Sequence, residues 1–184
     1  MQVREKTRQE IEQKLSMMSD FLKMEYLENC LKQQSTFDVK RFCHENLSVL
    51  YDKRNMFAES AKHMNIAAEI SATFKDKMQN YMKEVELWIK SNQYDRVDEA
   101  FTKALACGNT KEKEEMKAAL KELYFKQAKA FEKAQRNSNA MKVYEKILRM
   151  NLANEAEKAE IREKLLSLYQ KLGKIREYMM LREK

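Results

Sequence analysis

The sequence predicts an all-α fold of antiparallel helical hairpins, and three observations carry that expectation. Among 184 residues there is no proline, and the two glycines are Gly108 and Gly173. Hairpin turns and phosphate-cradling loops depend on those residue types, so all-β and nucleotide-binding folds are excluded. Apolar side chains recur at three- and four-residue spacing along most of the chain, which is the helical period. Hydrophobic residues make up 43% and charged residues 35%, enough to bury a core and unlike a disordered tail. The length suits a single helical domain over residues 1–184, or one continuous stack of helices.

Taken in order, residues 1–35 form a weak first hairpin, with Ile11, Leu15, Met18 and Leu22 at helical spacing and a turn at Ser19. Ser35-Thr36 marks the next boundary. Four segments then share a pattern in which an aromatic is followed, four residues on, by a small polar turn residue. They are Tyr51 with Asn55, Trp88 with Asn92, Phe131 with Gln135, and Tyr169 with Gly173. After the first three turns, a second helix repeats its own positions: Ser60, Met64 and Ala67; Val97, Phe101 and Ala104; Ala140, Tyr144 and Ile147. A large aromatic near the end of one helix packs on small or medium residues of the next and closes a hairpin. Each hairpin leaves one face uncovered until another stacks on it. The repeats fall at about 36–73, 74–107, 109–150 and 153–184. Gly108-Asn109 ends one helix and caps another, with Glu112 completing a capping box, and Asn154 with Glu157 repeats that arrangement. The third repeat extends its first helix, beginning near Asn109. Leu15 and Ser19 make a fainter copy of the aromatic and turn positions.

The run Asn92-Gln-Tyr94-Asp95-Arg-Val97-Asp98-Glu99-Ala100-Phe101-Thr-Lys103-Ala104-Leu105 resembles the tetratricopeptide-repeat (TPR) family of α-solenoids. Tyr144-Glu-Lys-Ile147-Leu148 and Gly173-Lys-Ile175-Arg-Glu-Tyr178 are partial matches. The resemblance implies a TPR-like α-solenoid of antiparallel helical hairpins, about ten helices in five hairpins, of the divergent long-repeat type. The aromatics lie about 40 residues apart, against the family's usual period of about 34.

Catalytic constellations are sparse. The histidines are His44 and His63. Cys43-His44 looks like a nucleophile and base, but adjacent helical residues point about 100° apart. The simpler reading buries Cys43 and sets His44 at a hairpin contact. Zinc needs paired ligands, and Cys30, Cys43, His44 and Cys107 lack that spacing. No cofactor or metal is expected, and the chain reads as a non-enzyme. Three cysteines without close spacing suggest reduced thiols in a cytoplasmic setting. Residues 1–20 hold no uninterrupted apolar run, so no signal peptide is expected, and no stretch is long enough to span a membrane. The net charge of +7 admits nucleic acid as a partner. Yet Lys111, Lys113, Lys117 and Lys121 alternate with Glu112, Glu114, Glu115 and Glu122, which reads first as a salt-laced helix surface.

The resemblance also implies a groove lined by the first helix of each hairpin. Its candidate partner-binding residues are Phe42, Glu45, Val49, Asp52, Met82, Glu86, Ile89, Glu122, Phe125, Lys129, Glu132 and Glu163. Acids dominate that set, with apolar anchors among them. Such a surface suits a basic, amphipathic peptide or helix from a partner protein and repels phosphate. The functional expectation is therefore a protein–protein interaction scaffold or adaptor. The alternative is a nucleic-acid-associated helical protein using a basic outer surface. In the last helix, Tyr178 and Leu181 are expected to face inward, leaving Met179 or Met180 exposed for self-association.

Overall fold

The computed structural model describes residues 3–33 and 36–183; Ser35, at the first expected boundary, lies outside them. The described residues form helices and no strand. They are α1 (Arg8–Ser16), α2 (Asp20–Lys32), α3 (Phe37–Lys53), α4 (Phe57–Glu69), α5 (Phe74–Lys90), α6 (Tyr94–Cys107), α7 (Thr110–Lys133), α8 (Asn137–Arg149), α9 (Glu155–Lys171) and α10 (Ile175–Arg182). The chain falls into two compact units, Met1–Lys113 and Glu114–Lys184.

Two kinds of punctuation alternate along the chain. Before α1, α3, α5, α7 and α9 stands a side-chain cap. Thr7, Thr36 and Thr73 accept from the backbone N–H of Glu10, Val39 and Asp76. Asn109 and Asn154 pair reciprocally with Glu112 and Glu157 at 2.8–3.0 Å, as the sequence predicts. Helices α4, α6, α8 and α10 have no such cap. Each follows a turn in which one residue takes the left-handed conformation: Asn55 (φ 59°), Asn92 (61°), Gln135 (58°) and Gly173 (67°). These are the four turn residues read from the sequence. The next residue donates its N–H back to the carbonyl of Tyr51, Trp88, Phe131 or Tyr169 at 2.9–3.0 Å. That closure satisfies orphan carbonyls of the preceding helix and sets the aromatic three positions from its end. A fifth left-handed residue, Asn151 (φ 52°), ends α8.

The faint first copy does not share this geometry. Ser19 has extended backbone (φ −69°, ψ 157°) and serves as the N-cap position of α2. No aromatic precedes it to close on a second helix, and the α1–α2 link follows another path.

In the first unit, α2, α3, α4, α5 and α6 pack consecutively, and α1 touches α3. Ile11, Leu27, Val39, Phe42, Cys43 and Leu47 share one apolar cluster. In the second unit α9 packs against α8 and α10, and Tyr124, Tyr144, Ile147, Ile161 and Leu165 are buried. All nine repeated second-helix positions are buried, as are Trp88, Phe131 and Tyr169. Alanines at Ala67, Ala104 and Ala140 leave room for the neighbouring helix to approach. Tyr51 differs by staying half-buried: its ring stacks on His63 at 5.3 Å, and its hydroxyl donates to Glu28 at 3.4 Å. The lengthened third repeat is α7, at 24 residues. No helix of the described residues is long and apolar enough to cross a membrane.

Candidate functional site

Of the expected groove residues in the first unit, Phe42 and Ile89 are corrections. Both are buried, and the Arg8 guanidinium covers the Phe42 ring at 4.8 Å. The helices rotate those two side chains into the apolar interior, where burial outweighs any surface role. Glu45, Val49, Asp52, Met82 and Glu86 do reach the surface of α3 and α5, with Val49 50% exposed. Their acids are partnered within the chain. Lys90 contacts Asp52 and Glu86, each at 3.1 Å, and Lys83 reaches Glu86 at 2.8 Å. Burial pushes the Glu86 carboxyl up, but those two ammonium groups hold it below its usual range. Glu45 accepts from Asn80 at 3.2 Å, and the neighbouring Arg41 bonds Asp76 and Asp38, each at 3.2 Å. The expected acidic strip is thus a ladder of cross-links between α3 and α5, its charge largely balanced from inside.

In the second unit, Glu122, Lys129 and Glu163 are exposed, while Phe125 and Glu132 are partly buried. Lys164 on α9 reaches Glu132 at 3.3 Å and the Tyr144 hydroxyl at 3.1 Å. Phe125 and Lys129 line an open hollow of about 650 Å³ along α7, with Lys121, Lys126 and Lys133. Its carboxylates are Glu122 and Glu157, and Lys121 holds the latter at 2.9 Å. Lys126, Lys129 and Lys133 form no ion pair among the described residues. This hollow is therefore basic, contrary to the acidic character expected for these positions. The reading from sequence divided α7 between a groove (Glu122, Phe125, Lys129, Glu132) and an outer charged stripe that runs from Lys111 to Lys121 and on through Lys126, Lys129 and Lys133, whereas residues of both sets line this one hollow.

Sequence reasoning missed a third region. Between α4, α5 and α6 lies a cleft of about 310 Å³. At its wall the Glu84 carboxylate is 5% exposed, accepting from Trp88 Nε1 at 2.8 Å and Asn65 Nδ2 at 3.0 Å. Burial pushes its carboxyl above the usual range, and the two hydrogen bonds only partly pull it back. A Glu four residues before a Trp was its visible signal, and on a helix that spacing places the two on one face.

The histidines meet where α3 packs on α4, His44 Nδ1 to His63 Nδ1 at 2.8 Å. Burial, with His63 and Lys40 nearby, pushes His44 down to about 4. Cys43 is buried beside His44, as the hairpin reading expected, and its thiol meets that of Cys30, itself buried. That contact pulls the Cys30 thiol down, while it and burial push Cys43 up. Both cysteines, and the half-buried Cys107, are free thiols. Among the described residues no group of three or more metal-ligating side chains converges. Helix α10 buries none of its residues; Met179 and Met180 are half-exposed, with Tyr178 and Leu181 partly covered. No known family and no curated protein matches this chain in sequence.

Proposed function

We propose that this chain is a TPR-like, non-catalytic scaffold whose hairpins present a surface to a partner protein. The observation that carries this reading is the fourfold recurrence of one turn, each time after a capped helix, with the same buried positions following the first three. A chain that repeats its architecture while scattering its titratable groups is built for surface area, the economy of helical-repeat proteins. On α3 and α5 the available features are Val49 and Met82 among Glu45, Asp52 and Glu86. Apolar contacts supply most of the affinity for a basic amphipathic segment, and the acids set its orientation. Because Lys83 and Lys90 already bond Asp52 and Glu86, an incoming cation must compete with them. The test measures a fluorescent basic amphipathic helical peptide by anisotropy. Val49→Asp with Met82→Asp should weaken binding tenfold or more, and unchanged binding overturns this surface.

A second reading has its own support. The unpaired lysines of the α7 hollow, with Phe125 beside them, combine charge and an aromatic as single-stranded nucleic acids require. Affinity for a labelled single-stranded RNA should then fall steeply with salt. A shallow slope, or retention of binding by Lys126→Glu with Lys129→Glu, removes this alternative.

A further inference from the structure

The cleft between α4, α5 and α6 carries an imbalance of its own. Its rim cations are each committed: Lys62 to Glu59 at 2.9 Å, Lys103 to Glu69 at 2.8 Å and Arg96 to Glu99 at 3.1 Å. Glu84, the more buried of the two lining carboxylates, forms no ion pair among the described residues; Lys103 acts on it only without a direct contact, and its hydrogen-bond donors, Trp88 and Asn65, are both neutral. A carboxylate withdrawn from water without a bonded counter-charge is costly. It gains most from a cation that enters the same desolvated space.

We propose that this cleft is a binding site for the guanidinium group of an arginine side chain presented by a partner, held by Glu84 beside the Trp88 indole. Three features select arginine. Each Glu84 oxygen accepts one hydrogen bond, which leaves both with acceptor capacity toward the cleft. A planar guanidinium fork fills two such positions at once, whereas an ammonium offers a single point charge. Trp88 lines the same space, and an indole is the ring that best attracts a cation. Ile66, 41% exposed at the mouth, offers apolar surface for the methylene stem. The volume lies at the lower limit of about 300–1,000 Å³ for small-ligand pockets, so it admits a side chain. This site lies apart from the Val49–Met82 surface and does not rest on that reading.

Trp88 is the single tryptophan, so its indole N–H gives one NMR signal, from the very proton donated to Glu84. The experiment titrates the isotopically labelled full chain with N-acetyl-arginine methylamide. The citrulline counterpart, equal in shape and uncharged, is the control. Arginine should shift the indole signal saturably, with citrulline at least about tenfold weaker, because a close charge pair in a desolvated site is worth that much or more. Glu84→Gln should abolish the preference while melting at no lower temperature than the parent. Equal response to both probes, or no saturable response to arginine, overturns the proposal. So does a folded Glu84→Gln protein that still prefers arginine. The comparison of probes on the unaltered protein decides the matter even if that variant does not fold. Variants of Val49 and Met82 should leave this titration unchanged, which separates it from the peptide-binding surface.

Discussion

The Glu84 cleft of the first unit and the α7 hollow of the second are both rimmed by several cations, yet they ask for opposite ligands. Around the cleft, Lys62, Lys103 and Arg96 are consumed by carboxylates of α4 and α6, and the remainder is one buried negative group. Along the hollow, Lys121 alone is bonded to a lining carboxylate, and Lys126, Lys129 and Lys133 are the remainder. Counting charges in a lining therefore misleads. What a surface attracts is set by the charge left after internal pairing, weighted by how far that charge is withdrawn from water.

The largest effects should come from the aromatics that hold each region. Trp88→Ala and Phe131→Ala each remove a buried ring from the same turn position, and each should cost about 3–5 kcal/mol in denaturant unfolding. Trp88→Ala should cost the more of the two, because it also strips a donor from Glu84 and leaves a buried acceptor unsatisfied. A larger loss at Phe131 would show that the Glu84 contact contributes little.

A second contrast is visible in pH. Burial raises the Glu84 carboxyl, so the folded chain binds its proton more tightly than the unfolded chain does. Its contribution to stability is full below the ordinary carboxylate range and is lost as pH rises through the native value. Of the charges around the cleft, Lys103 pulls that value down and Glu69 pushes it up. His44 behaves in the opposite sense. Burial and its His63 and Lys40 neighbours lower it from 6.5 to about 4, so stability present above 6.5 falls as pH drops toward 4. Thermal melts across this window should show Glu84→Gln gaining on the parent as pH rises, and His44→Phe losing less than the parent as pH falls. Parallel pH profiles for parent and variants would contradict both assignments.

Smaller differences separate the turns. Gln135 sits in the left-handed region, which side chains other than glycine and asparagine enter at a cost, so Gln135→Gly should stabilise by about 1 kcal/mol. Asn92→Gly, at the equivalent position of the first unit, should gain less than about 0.5 kcal/mol because asparagine tolerates that conformation. Equal gains would show that the two turns differ in more than side-chain sterics. Smallest of all, Lys126→Gln, Lys129→Gln and Lys133→Gln should each alter the melting free energy by no more than about 0.5 kcal/mol. A cooperative loss on combining them would reveal pairing that the hollow does not show.

Much of the fold was legible from local chemistry. Helical periodicity, the caps at Asn109 and Asn154, and the turn residues Asn55, Asn92, Gln135 and Gly173 act within a few residues of themselves, so their meaning survives in the linear chain. The buried series Val97, Phe101, Ala104 and its counterparts was legible for the same reason, as helical spacing alone puts them on one face. Leu15 and Ser19 misled because spacing was matched without an aromatic to close on the second helix.

The surface was a different matter. Whether Phe42 and Ile89 face solvent, whether Asp52 and Glu86 are free acids, and whether Glu84 has a counter-charge all depend on residues tens of positions away. Lys90 meets Asp52 across two helices, and Asn65 meets Glu84 across another pair. A turn is decided by its own backbone, so the amino-acid sequence by itself determined the helices and the turns between them. The charge on a face is decided by what the neighbouring helix brings to it, so only the tertiary structure decided which groups are spent and which remain to bind.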